Sequence, residues 1–370
     1  ERELHKLARA ATRLQWANVS LNDARAKWGP LTENLPRLGL AAVLLYGGIL
    51  TIDGDITVGA IVAFNAYVVL VQAPFRFLSF ILILGQRAAA SAGRIFEVLD
   101  EHAGVVDRPG AVDLVDARGA VQFDDITFAY GGGEPVLNGF TLQVCPGETV
   151  AIVGRTGSGK STIARVLARF YDVQQGMVSV DGHDVRDVTL ASLRHHVGVV
   201  LDDPFLFSAS VRDNIAFGRP DASIDDVVAA ARAAQADEFI GELRDGYDTV
   251  VGERGYDLSG GQRQRIAIAR TLLADPAVLV LDDATSAIDV QVESRIHEAL
   301  HQSLGTRTTI LIAHRLSTIT LADRVVLLEG GQVVADGTHA QLLADEPRYA
   351  AVLARIEHAD DVSTGQAVGE

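Results

Sequence analysis

The sequence predicts an all-α helical hairpin of membrane-spanning character, followed by an α/β domain. Two observations carry this prediction. Two uncharged apolar runs near the N-terminus are separated by an acidic turn. From about residue 105 onward, short apolar strands alternate with helical stretches, and a glycine-rich loop joins one strand to the next helix.

The hairpin comes first. Residues 1–34 are polar and helix-favouring, with Leu4, Leu7, Ala8, Ala11, Leu14 and Gln15 at helical spacing. Leu38 to Ile52 carry no charge, the sequence Asp-Gly-Asp follows, and residues 56–75 are again uncharged. The second run has the roughly 20 residues a membrane helix needs. Basic residues lie outside the runs, at Arg2, Lys6, Arg9, Arg13, Arg25, Lys27, Arg87 and Arg94. That bias predicts spans at about 35–52 and 56–84 with both ends cytoplasmic. Arg76 interrupts the second run, either snorkelling to the interface or facing an aqueous path. The apolar runs lie too far in for a signal peptide.

Composition narrows the class. Residues 1–100 hold 10 Lys/Arg against 8 Asp/Glu, a net +2, so the total of −16 leaves −18 for the remainder. An acidic bulk of that kind gives no footprint for nucleic acid. The single cysteine, Cys145, excludes an intramolecular disulfide and, beside a Pro-Gly turn, is expected to be a small buried residue. The chain opens at Glu1 in a helical pattern and has one methionine, Met177, so it reads as a fragment or processed piece.

The stretch ETVAIVGRTGSGKSTIARVLARF then places a glycine-rich loop between an apolar strand and a helix whose core face is marked by Ile163, Val166, Leu167 and Phe170. Gly154, Gly159, Lys160 and Ser161 fit G-x-x-x-x-G-K-[ST], with Thr156, Gly157, Ser158 and Thr162 completing the cradle. Backbone N–H groups close around phosphate oxygens there, Lys160 adds a cation, and the Ser161 hydroxyl suits magnesium. A second buried strand, ADPAVLVLDD, ends in Asp282, where such a fold holds the metal, and Asp283, where a base for the attacking water belongs. Between them, Ser259, Gly260 and Gly261 open another helix in anion-binding manner, although one nucleotide does not need two cradles in one domain.

This combination resembles the ATP-binding cassette (ABC) family, specifically its exporter-type half-transporters, over essentially the whole chain. The resemblance implies an α/β P-loop NTPase fold with a helical subdomain, and ATP and Mg2+ as cofactors. It also implies a head-to-tail dimer in which LSGGQ of one domain, here ending in Ser259, Gly260, Gly261 and Gln262, caps the ATP on the other's P-loop. Tyr130 would stack on adenine, and VGERG at 251–255 would touch membrane-domain helices. The SAID stretch at 286–289 would cross to the partner site, and His314 would lie near the γ-phosphate.

Two positions depart from the family pattern. Asp283 stands where members usually carry Glu, and Asp202, a candidate metal contact, stands where they usually carry Gln. Shortening a side chain by one methylene retracts its carboxylate by about 1–1.5 Å. A misplacement of that size costs on the order of 100-fold in rate, or about 2.7 kcal/mol. Asp283 is therefore expected to make its own site hydrolytically poor while the signature stays complete, as in the family's heterodimeric exporters. A homodimer with a slow Asp283 site is the alternative, and a non-transport ABC ATPase is a reading of a different class.

The expected boundaries are a partial transmembrane domain over 1–104, a linker over 105–119 and a nucleotide-binding domain over 120–357, with its helical subdomain at about 205–270. The polar tail 358–370 is expected to be disordered or to begin a linker. The implied setting is a bacterial inner membrane with the nucleotide domain cytoplasmic. The implied partners are membrane lipid, a second half-transporter or the second half of the same polypeptide, and a small-molecule, lipid or peptide substrate.

Overall fold

The computed structural model describes residues 2–366 apart from 253–254, 256, 286–287, 289–291, 293–294, 297–306 and 314. The chain divides between His102 and Ala103 into two units.

The first unit is two helices, α1 (Arg2–Ile52) and α2 (Val58–Leu99). They meet at a turn where Gly54 takes φ +85° and where the Thr57 hydroxyl accepts from the Ala60 amide at 3.2 Å, capping α2. At Gly47 the two helices approach closely: a Cβ there would sit 3.2 Å from Ile61 Cγ1, so a small residue is needed. The polar extension and the first apolar run form one continuous helix that accommodates Pro30 and Pro36. Its segment Ala26–Ile52, 27 residues with mean hydropathy 1.7, is long and apolar enough to cross a membrane. It begins earlier than the sequence suggests. The second apolar helical stretch among the described residues, Val58–Gln72, is shorter and ends four residues before Arg76. Leu44, Leu45, Tyr46, Phe64, Leu70 and Phe80 are among the large apolar side chains exposed on this unit.

The second unit holds two sheets. The first is antiparallel, ordered β2 (Leu137–Val144), β1 (Val121–Phe128), β4 (Gln175–Val180), β5 (His183–Asp184). The second is ordered β10 (Gln332–Gly337), β9 (Arg324–Glu329), β3 (Thr149–Gly154), β8 (Thr308–Ile312), β7 (Val278–Asp282), β6 (Val197–Val200). All of its pairings are parallel except that of β10 with β9.

Burial on both faces explains why its strands read as unbroken apolar runs rather than alternating ones. Side chains along each strand point to opposite faces. Val150, Ile152, Val278, Val280, Ile310 and Ile312 therefore join a core with the antiparallel sheet and helix α3 (Lys160–Leu167). Ala151, Val153, Leu279, Leu281 and Leu311 join a second core with helices α5 (Val211–Ile215), α6 (Ile224–Ala233), α7 (Asp237–Glu242) and α8 (Gly260–Leu273). Each fully buried side chain of this kind contributes about 1.5–3 kcal/mol. Helix α6 opens with a capping box at Ser223, closed by Asp226.

Helix α4 (Leu190–His196) precedes β6, and α9 (Leu316–Ile319), α10 (His339–Asp345) and α11 (Pro347–Gln366) also belong to this unit. Three expectations are corrected. Cys145 is exposed, because β2 ends at Val144 with its inward-facing position and the chain then turns outward. Phe170 is 43% exposed, because α3 stops at Leu167 before the helical pattern reaches it. The polar tail from His358 continues α11 as helix to Gln366.

Candidate functional site

Strand β3 delivers Gly154 to the end of the parallel sheet, and the loop returns into α3 at Lys160. The glycines are needed for space. A Cβ on Gly154 would lie 2.3 Å from the Leu328 carbonyl oxygen, and Gly159, at φ +103°, would place one 2.9 Å from Leu137 Cδ2. Lys160 is 5% exposed, and its Nζ donates to the carbonyls of Gly154 at 2.8 Å and Arg155 at 3.2 Å. Burial lowers its pKa, opposed in part by the charges of Asp282 and Asp283. Ser158 Oγ is buried without a hydrogen-bond partner. An orphaned hydroxyl, a confined ammonium and a helix N-terminus converge on a loop that leaves no room for a Cβ at Gly154 or Gly159. That donor set fits an oxyanion of the phosphate class.

The metal side of the site forms across 121 residues of sequence. Ser161 Oγ donates to Asp282 Oδ1 at 3.0 Å, and Asp282, at the end of β7, is 6% exposed. Burial raises the Asp282 carboxyl above the ordinary carboxylate range. The Ser161 hydrogen bond opposes that shift, the Asp202 charge adds to it, and Arg165 and Lys160 oppose it further. Asp202 follows β6, so three oxygen-bearing residues gather here: Ser161, Asp282 and Asp202. Among the described residues no group of three or more His, Cys, Asp or Glu could hold a metal alone. Magnesium fits this pattern, since it takes one or two carboxylates and completes its shell with phosphate oxygens and water. When bound, it would neutralise charge on those phosphates.

Asp283 is half-buried, with φ +50° and its amide donating to the Ile312 carbonyl at 3.2 Å. The left-handed region tolerates Asp better than most residues.

Tyr130 lies beside the P-loop helix, its hydroxyl 3.2 Å from Thr162 Oγ1 and accepting from Arg165 Nη1 at 3.3 Å. Its ring makes edge contacts with Phe128 and Tyr171. Thr156 and Gly157 are exposed in the loop.

The signature residues serve their own helix in this structure. Ser259 is the N-cap of α8, its hydroxyl accepting from the Gln262 amide at 3.2 Å, while Gln262 Oε1 accepts from the Ser259 amide at 2.8 Å. Ser-Gly-Gly-Gln is thus also a capping box. No hydrogen bond among the described residues joins Ser259, Gly260, Gly261 or Gln262 to the P-loop. His314, residues 253–254 of VGERG and residues 286, 287 and 289 of SAID lie outside the described residues.

Two residues of α8 were not singled out in the sequence. Gln264 Nε2 donates to the Asp202 carbonyl at 3.2 Å. Arg270 donates to the carbonyls of Asn214 at 2.8 Å and Phe205 at 3.0 Å, with its guanidinium over Phe207 and Phe217. The helix that opens with the signature therefore also holds the segment after β6. Only the polar positions of the QRQR run hint at this.

Comparison with known proteins agrees with this geometry. Residues 137–286 match the family model described as ABC transporter. The chain is 44% identical over 353 residues to a multidrug efflux ATP-binding/permease protein of Mycobacterium bovis (strain BCG / Pasteur 1173P2), covering 95% of this chain and 30% of that one. It is 42% identical over 348 residues to an ATP-dependent lipid A-core flippase of Syntrophus aciditrophicus (strain SB), covering 94% of this chain and 57% of that one. The structure of a bacterial Atm1-family ABC exporter with ATP bound superposes with TM-score 0.82 at 39% identity, over 96% of this chain and 62% of that one. The chain thus spans less than two thirds of the length of each of these proteins. It belongs to the ABC transporter family, with the ATP-binding domain and the exporter-type half-transporter architecture over the span it covers.

Proposed function

We propose that this chain is the ATP-binding half of an exporter, coupling ATP binding and hydrolysis in a head-to-tail dimer of nucleotide-binding domains to movement of a substrate across a membrane. The observation that carries this reading is the Ser161–Asp282 pair at 3.0 Å beside a buried Lys160, directly preceding an Asp at 283. Lys160 and the loop amides hold the phosphates, and Ser161 and Asp282, with Asp202 near, hold magnesium. Tyr130 borders the place for the adenine, and His314 is assigned to the γ-phosphate by family pattern. Asp283 binds and orients water poorly because its carboxylate stops about one methylene short. ATP therefore stays bound at this site, while Ser259, Gly260, Gly261 and Gln262 complete a hydrolysing site on a second half-transporter, separate or covalently joined. The apolar side chains exposed on α1 and α2 support a place in lipid and against further membrane helices. Multidrug and lipid substrates are the classes named for the relatives.

The test is ATP turnover by the full-length transporter purified with its partner. Removal of the partner's matching glutamate is expected to abolish turnover, and Asp283→Glu to change it about twofold at most, since one working site already exists. Unchanged turnover without that glutamate, together with complete loss on Asp283→Ala, would overturn the assignment.

A further inference from the structure

Among the described residues the largest fully buried side chain is a charged one. Arg169 is 1% exposed and sits two residues beyond the last turn of the P-loop helix α3, with φ +50°. Its Nε donates to Asp172 Oδ1 at 2.8 Å, and its Nη2 donates to the Val106 carbonyl at 2.9 Å. Its Nη1 is buried and has no hydrogen-bond partner. Replacing a buried charge by an apolar group of similar volume is often neutral or stabilising, so fold stability alone is a weak reason for this arrangement.

Val106 begins a segment that is fastened repeatedly to the end of α3 and the start of α4. Asp107 Oδ1 accepts from the Leu190 amide at 2.7 Å, and Arg108 pairs with Asp187 at 2.9 Å. Val112 exchanges backbone bonds with Asp187 and Thr189, each at 3.0 Å. Asp113 accepts from the Thr189 hydroxyl, and the Leu114 amide donates to Ser192 Oγ at 2.9 Å. Helix α4 returns the contact, since Arg194 Nη2 donates to the Arg169 carbonyl at 3.2 Å. This strap follows α2, which ends at Leu99, so it is the covalent route from the apolar helices into the ATP-binding unit.

We propose that residues 106–114 are a coupling strap and that Arg169 is its positioning residue, registering nucleotide binding at one end of α3 on the segment attached at the other. The inference rests on the nucleotide-binding reading above. Helix α3 is short and packed into the core through Ile163, Ala164, Val166 and Leu167, so it shifts as a rigid piece. A shift at Lys160 reaches Leu167, the last residue of α3, about 10 Å away along the helical rise, and Arg169 lies two residues beyond it. Val106 is held directly by that guanidinium, and the unpartnered Nη1 leaves it one donor unspent when the strap moves.

Hydrogen exchange followed by mass spectrometry on the full-length transporter with its partner, with and without ATP and Mg2+, tests this. In the wild type, nucleotide is expected to slow exchange in both the P-loop and residues 106–114 by about threefold or more. In Arg169→Met the P-loop response persists and the strap response disappears. The exposed pair Asp107→Ala/Arg108→Ala, which leaves the buried guanidinium in place, is expected to lose the strap response likewise and serves if Arg169→Met does not fold. A strap indifferent to ATP in the wild type, or one that responds equally in the variants, overturns the proposal. A P-loop that fails to respond in the wild type overturns the nucleotide reading and this inference with it.

Discussion

Asp282 offers a prediction in which stability and function move in opposite directions. Its carboxyl is buried at 6% exposure and pushed up in pKa chiefly by that burial. A folded-state pKa above the unfolded one means that the protonated carboxyl's contribution to stability is present in full at low pH. It is lost as pH rises from the ordinary value of 3.8 through the raised one, so at neutral pH the ionised group opposes folding. Asp282→Asn keeps an oxygen to accept from Ser161 and removes the charge. The nucleotide-free ATP-binding unit of the variant is therefore expected to melt no lower than the wild type at pH 7. With ATP and Mg2+ the order reverses. At about 100 times Kd, a ligand stabilises by about 2.7 kcal/mol. For a unit of this size that is a rise of about 5–10 °C. A tenfold loss of Mg-dependent affinity removes about 1.4 kcal/mol, halving the rise. The assay is thermal unfolding of the full chain, with nucleotide and with Mg2+ or a chelator. A variant that keeps the full Mg-dependent rise, or that melts several degrees below the wild type without ligand, refutes the reasoning.

Two further substitutions probe the same geometry. Ser259→Ala removes the N-cap of α8 and is expected to cost about 1 kcal/mol, seen as a fall of about 2–4 °C in melting temperature. If the signature also reaches the partner's ATP, turnover of the assembled transporter falls by far more than that loss of folded protein accounts for. Gly154→Ala forces a Cβ to within 2.3 Å of the Leu328 carbonyl oxygen on a strand paired to β3, and is expected to lower stability by about 3 kcal/mol or prevent folding. A near-normal melting temperature would show that β9 yields there.

The parts of the site that were legible in the sequence are those whose chemistry is local. The P-loop could be read because phosphate binding demands glycines and a lysine at fixed offsets. Asp282 could be read because a buried strand rarely ends in two acids without a use for them. What stayed hidden depends on where distant segments meet. Nothing near Arg169 says that its guanidinium will hold Val106, and nothing near Gln264 says that it will hold the loop carrying Asp202. The S-x-x-Q spacing of Ser259 and Gln262 serves a helix cap as well as an anion site, so the sequence alone does not separate the two roles. The strands of the six-stranded sheet were plain from their apolar runs, whereas Phe170 misled because a helical pattern carries no mark of where a helix of eight residues stops. The continuous α1 shows that Pro30 and Pro36 do not end a helix whose neighbouring turns are otherwise strong.

In the proposed dimer this chain's own site keeps ATP while its partner's site hydrolyses it. The most direct measurement is photolabelling of the full-length transporter with 8-azido-ATP carrying radiolabel at either the α- or the γ-phosphate, after one round of turnover with Mg2+. This chain is expected to retain both labels, its ATP intact, while the partner retains only the α label. Equal loss of the γ label from both chains would contradict it and make Asp283 a working catalytic acid.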